Sequence, residues 1–213
     1  MIRKTTLLLS ILIFSGIEIF AQSESLKGYV ADCKPEAGQD SVANIQAYSL
    51  YREFFKQDNY KDALPYWKRV FKNAPGLRQT THIDGTKIYD ELLENTEDEA
   101  KKDALLDTLL YIYDVRMKCF EETGDILGRK ALAMLEHNYD ATETYKTFQR
   151  SLELDGNETA YYIVQYYIYA AIKANRAEYL SDADLIKEYG KLMDIIDYNI
   201  NNNKKYAKKY EKA

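Results

Sequence analysis

Apolar side chains recur at steps of three and four along most of this chain, and short polar or glycine-bearing stretches separate the runs. That period is the signature of amphipathic helices, because residues three and four apart share one face of a 3.6-residue turn. Ala47, Leu50, Tyr51, Phe54 and Phe55 predict one such face, and Gln57-Asp58-Asn59 breaks it. Tyr60, Ala63, Leu64, Trp67, Val70 and Phe71 predict a second, stopped at Asn73-Ala74-Pro75 because proline cannot continue a helix. The pattern then predicts helices over Thr80–Glu94, with Ile83, Ile88, Tyr89 and Leu92 inward, and over Glu97–Glu121, with Leu105, Leu109, Ile112 and Tyr113 inward. It continues over Ile126–Glu136, Asp140–Leu154, from about Glu158 to Asn175, and over Asp182–Asn199. Taken in pairs these make four helical hairpins, at about 44–75, 79–122, 124–155 and 158–200. Residues 22–43 read as an irregular lead-in. Asn201-Asn202-Asn203 should loosen the chain before a basic segment, 201–213, that reads either as a C-terminal cap helix or as the start of a further repeat.

The first hairpin resembles one tetratricopeptide repeat (TPR). Leu50, Phe54, Tyr60, Ala63, Trp67 and Pro75 fall at that family's spacing, and Phe148 in the third hairpin takes the position Trp67 holds in the first. Ala63 is the telling small residue, since it lets two helices approach while Trp67 fills the groove beside it. The chain departs from the family pattern at Ala47, Tyr51 and Val70, and Gly156 stands where a closing proline would in the third hairpin. The resemblance implies an all-α fold, a right-handed α-α superhelix of about four TPR-like hairpins. It further implies a groove lined by the first helix of each hairpin, used to hold a protein or peptide partner without catalysis.

Composition supports helices throughout. Three prolines and nine glycines in 213 residues are too few for a turn-rich β fold. A formal charge of −5 lacks the basic face that nucleic acid requires. Residues 1–21 read as a secretory signal: Arg3-Lys4 give the positive start, Leu7 to Phe14 the apolar core, and Ile19-Phe20-Ala21 a cleavage site. The expectation is export to a periplasm or cell envelope, with no transmembrane span in the mature chain. Asp40-Ser41-Val42 resembles an O-glycosylation tripeptide of envelope proteins, and reads first as a helix start with Ser41 at the N-cap.

A search for catalytic chemistry returns little. His82 and His137 lack zinc-site spacing, no phosphate or dinucleotide loop is present, and acidic runs such as Glu97-Asp98-Glu99 suit a helix start. No cofactor or metal is expected. Two features remain. Cys33 and Cys119 are an even pair in a chain bound for an oxidising compartment, and stacked hairpins put the lead-in and the end of the second hairpin at one end, which makes a disulfide a candidate beside two unlinked thiols. The helix after Glu158 carries Tyr161, Tyr162 and Tyr166 well round from its apolar face, and they are candidate partner-binding rings, with packing against the next repeat as the competing reading. Aromatic-rich helical surfaces also stack on sugars. A glycan-handling accessory protein is therefore the alternative function.

Overall fold

The computed structural model describes residues 26–213 apart from Tyr29, Glu122 and Lys204. The expected signal segment, 1–21, lies outside the described residues. The described residues fold into helices alone: α1 Ser41–Phe55, α2 Tyr60–Asn73, α3 Gln79–Glu94, α4 Glu99–Phe120, α5 Gly124–Glu136, α6 Ala141–Asp155, α7 Tyr161–Arg176, α8 Asp182–Asn202 and the short α9 Ala207–Tyr210. A 3₁₀ turn, Gly156–Glu158, leads into α7. None of these helices is long and apolar enough to cross a membrane.

Local chemistry sets most helix starts. The side chains of Asn59, Asp98, Thr123, Asp140 and Ser181 each accept a hydrogen bond from the backbone N–H three residues on, which satisfies one of the free donors at a helix N-terminus. Ser41 does not act in this way. It is the first residue of α1, and the Asp40 side chain before it does not cap the helix but accepts from Arg69 at 3.4 Å. The ends of α1, α5 and α7 share one turn. A residue with positive φ (Asp58, Asn138, Glu178) is followed by a backbone N–H that reaches back five residues, from Asn59 to Phe54, Tyr139 to Met134 and Tyr179 to Ala174, at 3.0, 2.8 and 3.0 Å. Such left-handed caps reverse the chain after each of these first helices. α1 packs on α2, α3 on α4, α5 on α6 and α7 on α8, and neighbouring pairs meet through α2–α3, α4–α5 and α6–α7.

The apolar faces form two adjoining clusters. One is built mainly from α1–α4 and includes Tyr51, Trp67, Phe71, Ile88, Leu109 and Ile112; the other, from α5 to α9, includes Tyr145, Phe148, Ile163, Tyr167 and Leu192. α5 joins them, giving Ile126 and Met134 to the first and Ala131 to the second.

Three expectations need correction. Leu50 is 45% exposed and Ile83 36%, since α1 buries the Asn44–Ala47–Tyr51 line and α3 buries Thr81, His82, Asp84 and Gly85 ahead of Ile88 and Tyr89. The asparagines do not loosen the chain at 201–203. α8 runs through Asn202, with the Asn201 and Asn202 amides donating to the carbonyls of Asp197 and Tyr198 one turn back. Among the described residues beyond it, Ala207–Tyr210 alone are helical, and Tyr210 is buried, its hydroxyl donating to the Thr159 carbonyl at 2.6 Å. The tail thus folds back on the fourth hairpin.

The lead-in is attached to the array. Leu26 is 2% exposed in the first cluster, and the Ala31 N–H donates to the Lys72 carbonyl at 2.8 Å. Cys33 and Cys119 are joined by a disulfide, with 5.3 Å between their Cα atoms. The Lys34–Pro35 peptide that follows is cis.

Candidate functional site

Polar side chains bridge each first helix to the next. Between α1 and α3, the Tyr51 hydroxyl donates to the buried Asp84 carboxylate at 3.1 Å, Arg52 pairs with the same carboxylate, and the Tyr48 and Thr80 hydroxyls lie 2.9 Å apart. Between α3 and α5, His137 at the end of α5 faces Asp90 at 3.4 Å. Between α5 and α7, Tyr162 donates to Asp125 at 2.6 Å, and Lys173 donates to Asn138 at 2.9 Å. Side-chain bonds therefore join α1 to α3, α3 to α5 and α5 to α7, the Tyr51–Asp84 bond lying in the buried interior.

The predicted tyrosines sit on α7 and are all half-buried. Tyr162 is held most firmly. Arg129 donates to the other Asp125 oxygen at 2.9 Å and lies 5.4 Å over the Tyr162 ring. Burial would raise the Asp125 carboxyl, but the bonds from Arg129 and Tyr162 and the charge of Arg116 outweigh it and hold the group below its ordinary range. Burial and the neighbouring carboxylate push the Tyr162 hydroxyl up, so it stays a donor. Tyr161 meets the tail instead, edge-on to Tyr210 at 6.2 Å and with the Lys209 ammonium 4.6 Å from its ring. Tyr166 tilts against Tyr169, which is 54% exposed. Tyr166 and Tyr169 thus form the open end of the group.

The residues that carried the repeat pattern have mechanical roles. Ala63, Trp67 and Phe148 are completely buried. The Trp67 indole donates to the Thr81 carbonyl at 2.7 Å and packs against Gly85 of α3. Phe54 stacks on Tyr66, and Tyr60 tilts against Phe55. Pro75 is buried, with its carbonyl 2.8 Å from the His82 Nε2. Burial lowers His82 to a pKa of about 4 against the pull of the Pro75 and Ile112 carbonyls. The imidazole is neutral at pH 7, and its Nε2–H donates to Pro75. Leu50 stands outside the packing.

Sequence reasoning missed the buried polar groups that tie helices together. Asp84 anchors α1 to α3, and Glu188 of α8, 6% exposed, accepts from the Tyr167 hydroxyl at 2.5 Å and from Lys191 at 2.7 Å. Their signal was present, since each acidic residue interrupts an otherwise inward-facing line of its helix. A hollow of about 890 Å³ opens where α3 ends, α4 begins and α5 ends, lined by Asp90, Glu94, Glu99, Asp103 and Glu136 with Lys102 and His137. Burial raises Asp90 and Glu136 above the usual carboxylate range. No group of three or more metal-ligating side chains converges among the described residues.

No family model, curated protein or solved structure matches the chain. The functional reading therefore rests on the site's own geometry.

Proposed function

We propose that this chain is an exported, non-catalytic scaffold whose four hairpins stack as a right-handed TPR-like superhelix and hold a protein or peptide partner along the α1–α3–α5–α7 face. The observation that carries the reading is the run of polar bridges between successive first helices. They keep those helices in register, and a repeat array recognises extended partners on such a continuous surface. The left-handed turn shared by the first, third and fourth hairpins supports a common repeat unit. The apolar run of residues 1–21 and the Cys33–Cys119 disulfide support export, since disulfides persist in oxidising compartments.

The exposed rings of Tyr169, Tyr179, Tyr189 and Tyr198 around α7 and α8 favour a second reading, a glycan-handling accessory protein. Retention on a polysaccharide affinity gel, against capture of a defined protein in a pull-down, separates the two. Within the scaffold reading, Tyr166→Ala lowers partner binding with the melting temperature unchanged, while Tyr162→Ala lowers both because it removes a partner of Asp125. Binding that survives both substitutions removes these rings from the interface.

A further inference from the structure

Arg116 of α4 is a cation without a counter-ion. It is half-buried, its Nε is shut off from solvent with no hydrogen-bond acceptor, and no carboxylate among the described residues forms an ion pair with it. Burial pushes its guanidinium below the ordinary range, and the pull of Asp125 does not make up the difference. α4 carries it between two first helices. Its charge reaches His82 of α3 on one side, and Asp125 and Arg129 of α5 on the other. Asp125 is already taken, since Arg129 and the Tyr162 hydroxyl donate to its two oxygens at 2.9 and 2.6 Å. Within this group two guanidiniums therefore share one carboxylate, and the surplus positive charge falls on Arg116.

We propose that Arg116 anchors an oxyanion subsite between α3 and α5, which takes a carboxylate or phosphate group of the partner. The source of that group rests on the scaffold reading; its chemistry rests on Arg116. A guanidinium presents its N–H donors in a planar fork that matches the oxygens of either group, and bonds between opposite charges are the strong ones. Arg129 and Tyr162 are positioning residues. By satisfying Asp125 they keep its oxygens turned away from Arg116 and leave that fork for a ligand. In the free protein a half-buried charge without a partner is destabilising, as expected of a residue kept for binding and not for the fold.

Titration of the full oxidised chain with sodium phosphate or sodium acetate, against sodium chloride at constant ionic strength, tests the subsite. The Nε–Hε signals of Arg116 and Arg129 in a nitrogen–proton correlation spectrum report binding. The Arg116 signal moves and saturates with at least one of the two oxyanions. Followed at Arg129, R116Q binds about tenfold more weakly, the least that a hydrogen bond between charged groups contributes, and R116K, which keeps the charge without the fork, falls between. Saturation by phosphate alone identifies a phosphorylated group as the ligand, and saturation by acetate a carboxylate. In phosphate-free buffer R116M, of similar length and uncharged, unfolds at the same urea concentration as the wild type or a higher one. An Arg116 signal that moves no more with either oxyanion than with chloride, equal affinity in wild type and R116Q, or a loss of stability in R116M overturns the proposal. A protein that fails these tests and still captures a partner keeps the scaffold reading; saturable oxyanion binding with no partner captured keeps the subsite alone.

Discussion

Replacing Gly85 by alanine sets two effects of opposite sign against each other. Gly85 lies within α3, where alanine is favoured over glycine by about 1 kcal/mol. The space its side chain would take, however, is filled by Trp67 of α2. A Cβ there would lie 2.3 Å from Trp67 Cζ2, 2.7 Å from Cε2 and 2.9 Å from Nε1. The indole cannot withdraw freely, because it is fully buried, stacked on Phe71 at 4.8 Å, tilted against Tyr89 at 5.5 Å and bonded to the Thr81 carbonyl. Overpacking a well-filled core costs about 1–3 kcal/mol, and a rigid ring fixed by a hydrogen bond belongs at or above the upper end of that range. The net expectation is a loss of about 2 kcal/mol, or a melting temperature lower by roughly 4–8 °C in a chain of this size. Urea unfolding followed by the fluorescence of Trp67, the sole tryptophan, and by far-ultraviolet circular dichroism measures it. A Gly85→Ala protein as stable as the wild type refutes the packing argument. Gly190 on α8 is the control, since nothing lies within 4 Å of its would-be Cβ. Gly190→Ala gains about 1 kcal/mol from helix propensity alone.

Tyr167→Phe removes one of two bonds to the buried Glu188 carboxylate, and should cost about 2 kcal/mol in urea unfolding, the worth of a hydrogen bond to a charged group. His82 gives a pH signature. Its folded pKa of about 4 lies below its ordinary 6.5, so the unfolded chain binds the extra proton; the stability it contributes is complete above pH 6.5 and is lost as pH falls toward 4. The depression corresponds to about 3 kcal/mol over that window. Unfolding free energies at pH 7 and pH 4 should therefore differ more for wild type than for His82→Phe, even though that variant starts less stable because the Pro75 carbonyl has lost its donor.

The helical period was legible because it is local: Ala47, Tyr51, Ala63, Trp67, Val70 and Phe71 were predicted inward and are buried. The cap read at Ser41 was not, since Ser41 is already the first residue of α1. Leu50 and Ile83 were misplaced because hydrophobicity alone cannot show that α3 turns Thr81, His82 and Asp84 inward to meet partners on other elements. Asp84 is stable there only because Tyr51 and Arg52 arrive from α1, a pairing across more than thirty positions that no local pattern contains. The same applies to the candidate face. The tyrosines on α7 were visible as rings off the apolar stripe, but Tyr162 is committed to Asp125, and only the fold brings α5 and α7 together.

The stacking of successive first helices into one face is the claim on which the functional reading stands, and a double-mutant cycle between Asp125 and Tyr162 tests it most directly. With D125N, Y162F and the double variant compared by urea unfolding, a bond across the α5–α7 boundary predicts a coupling energy of about 1–2 kcal/mol. Losses that simply add, to within about 0.3 kcal/mol, would mean the two helices do not meet as described.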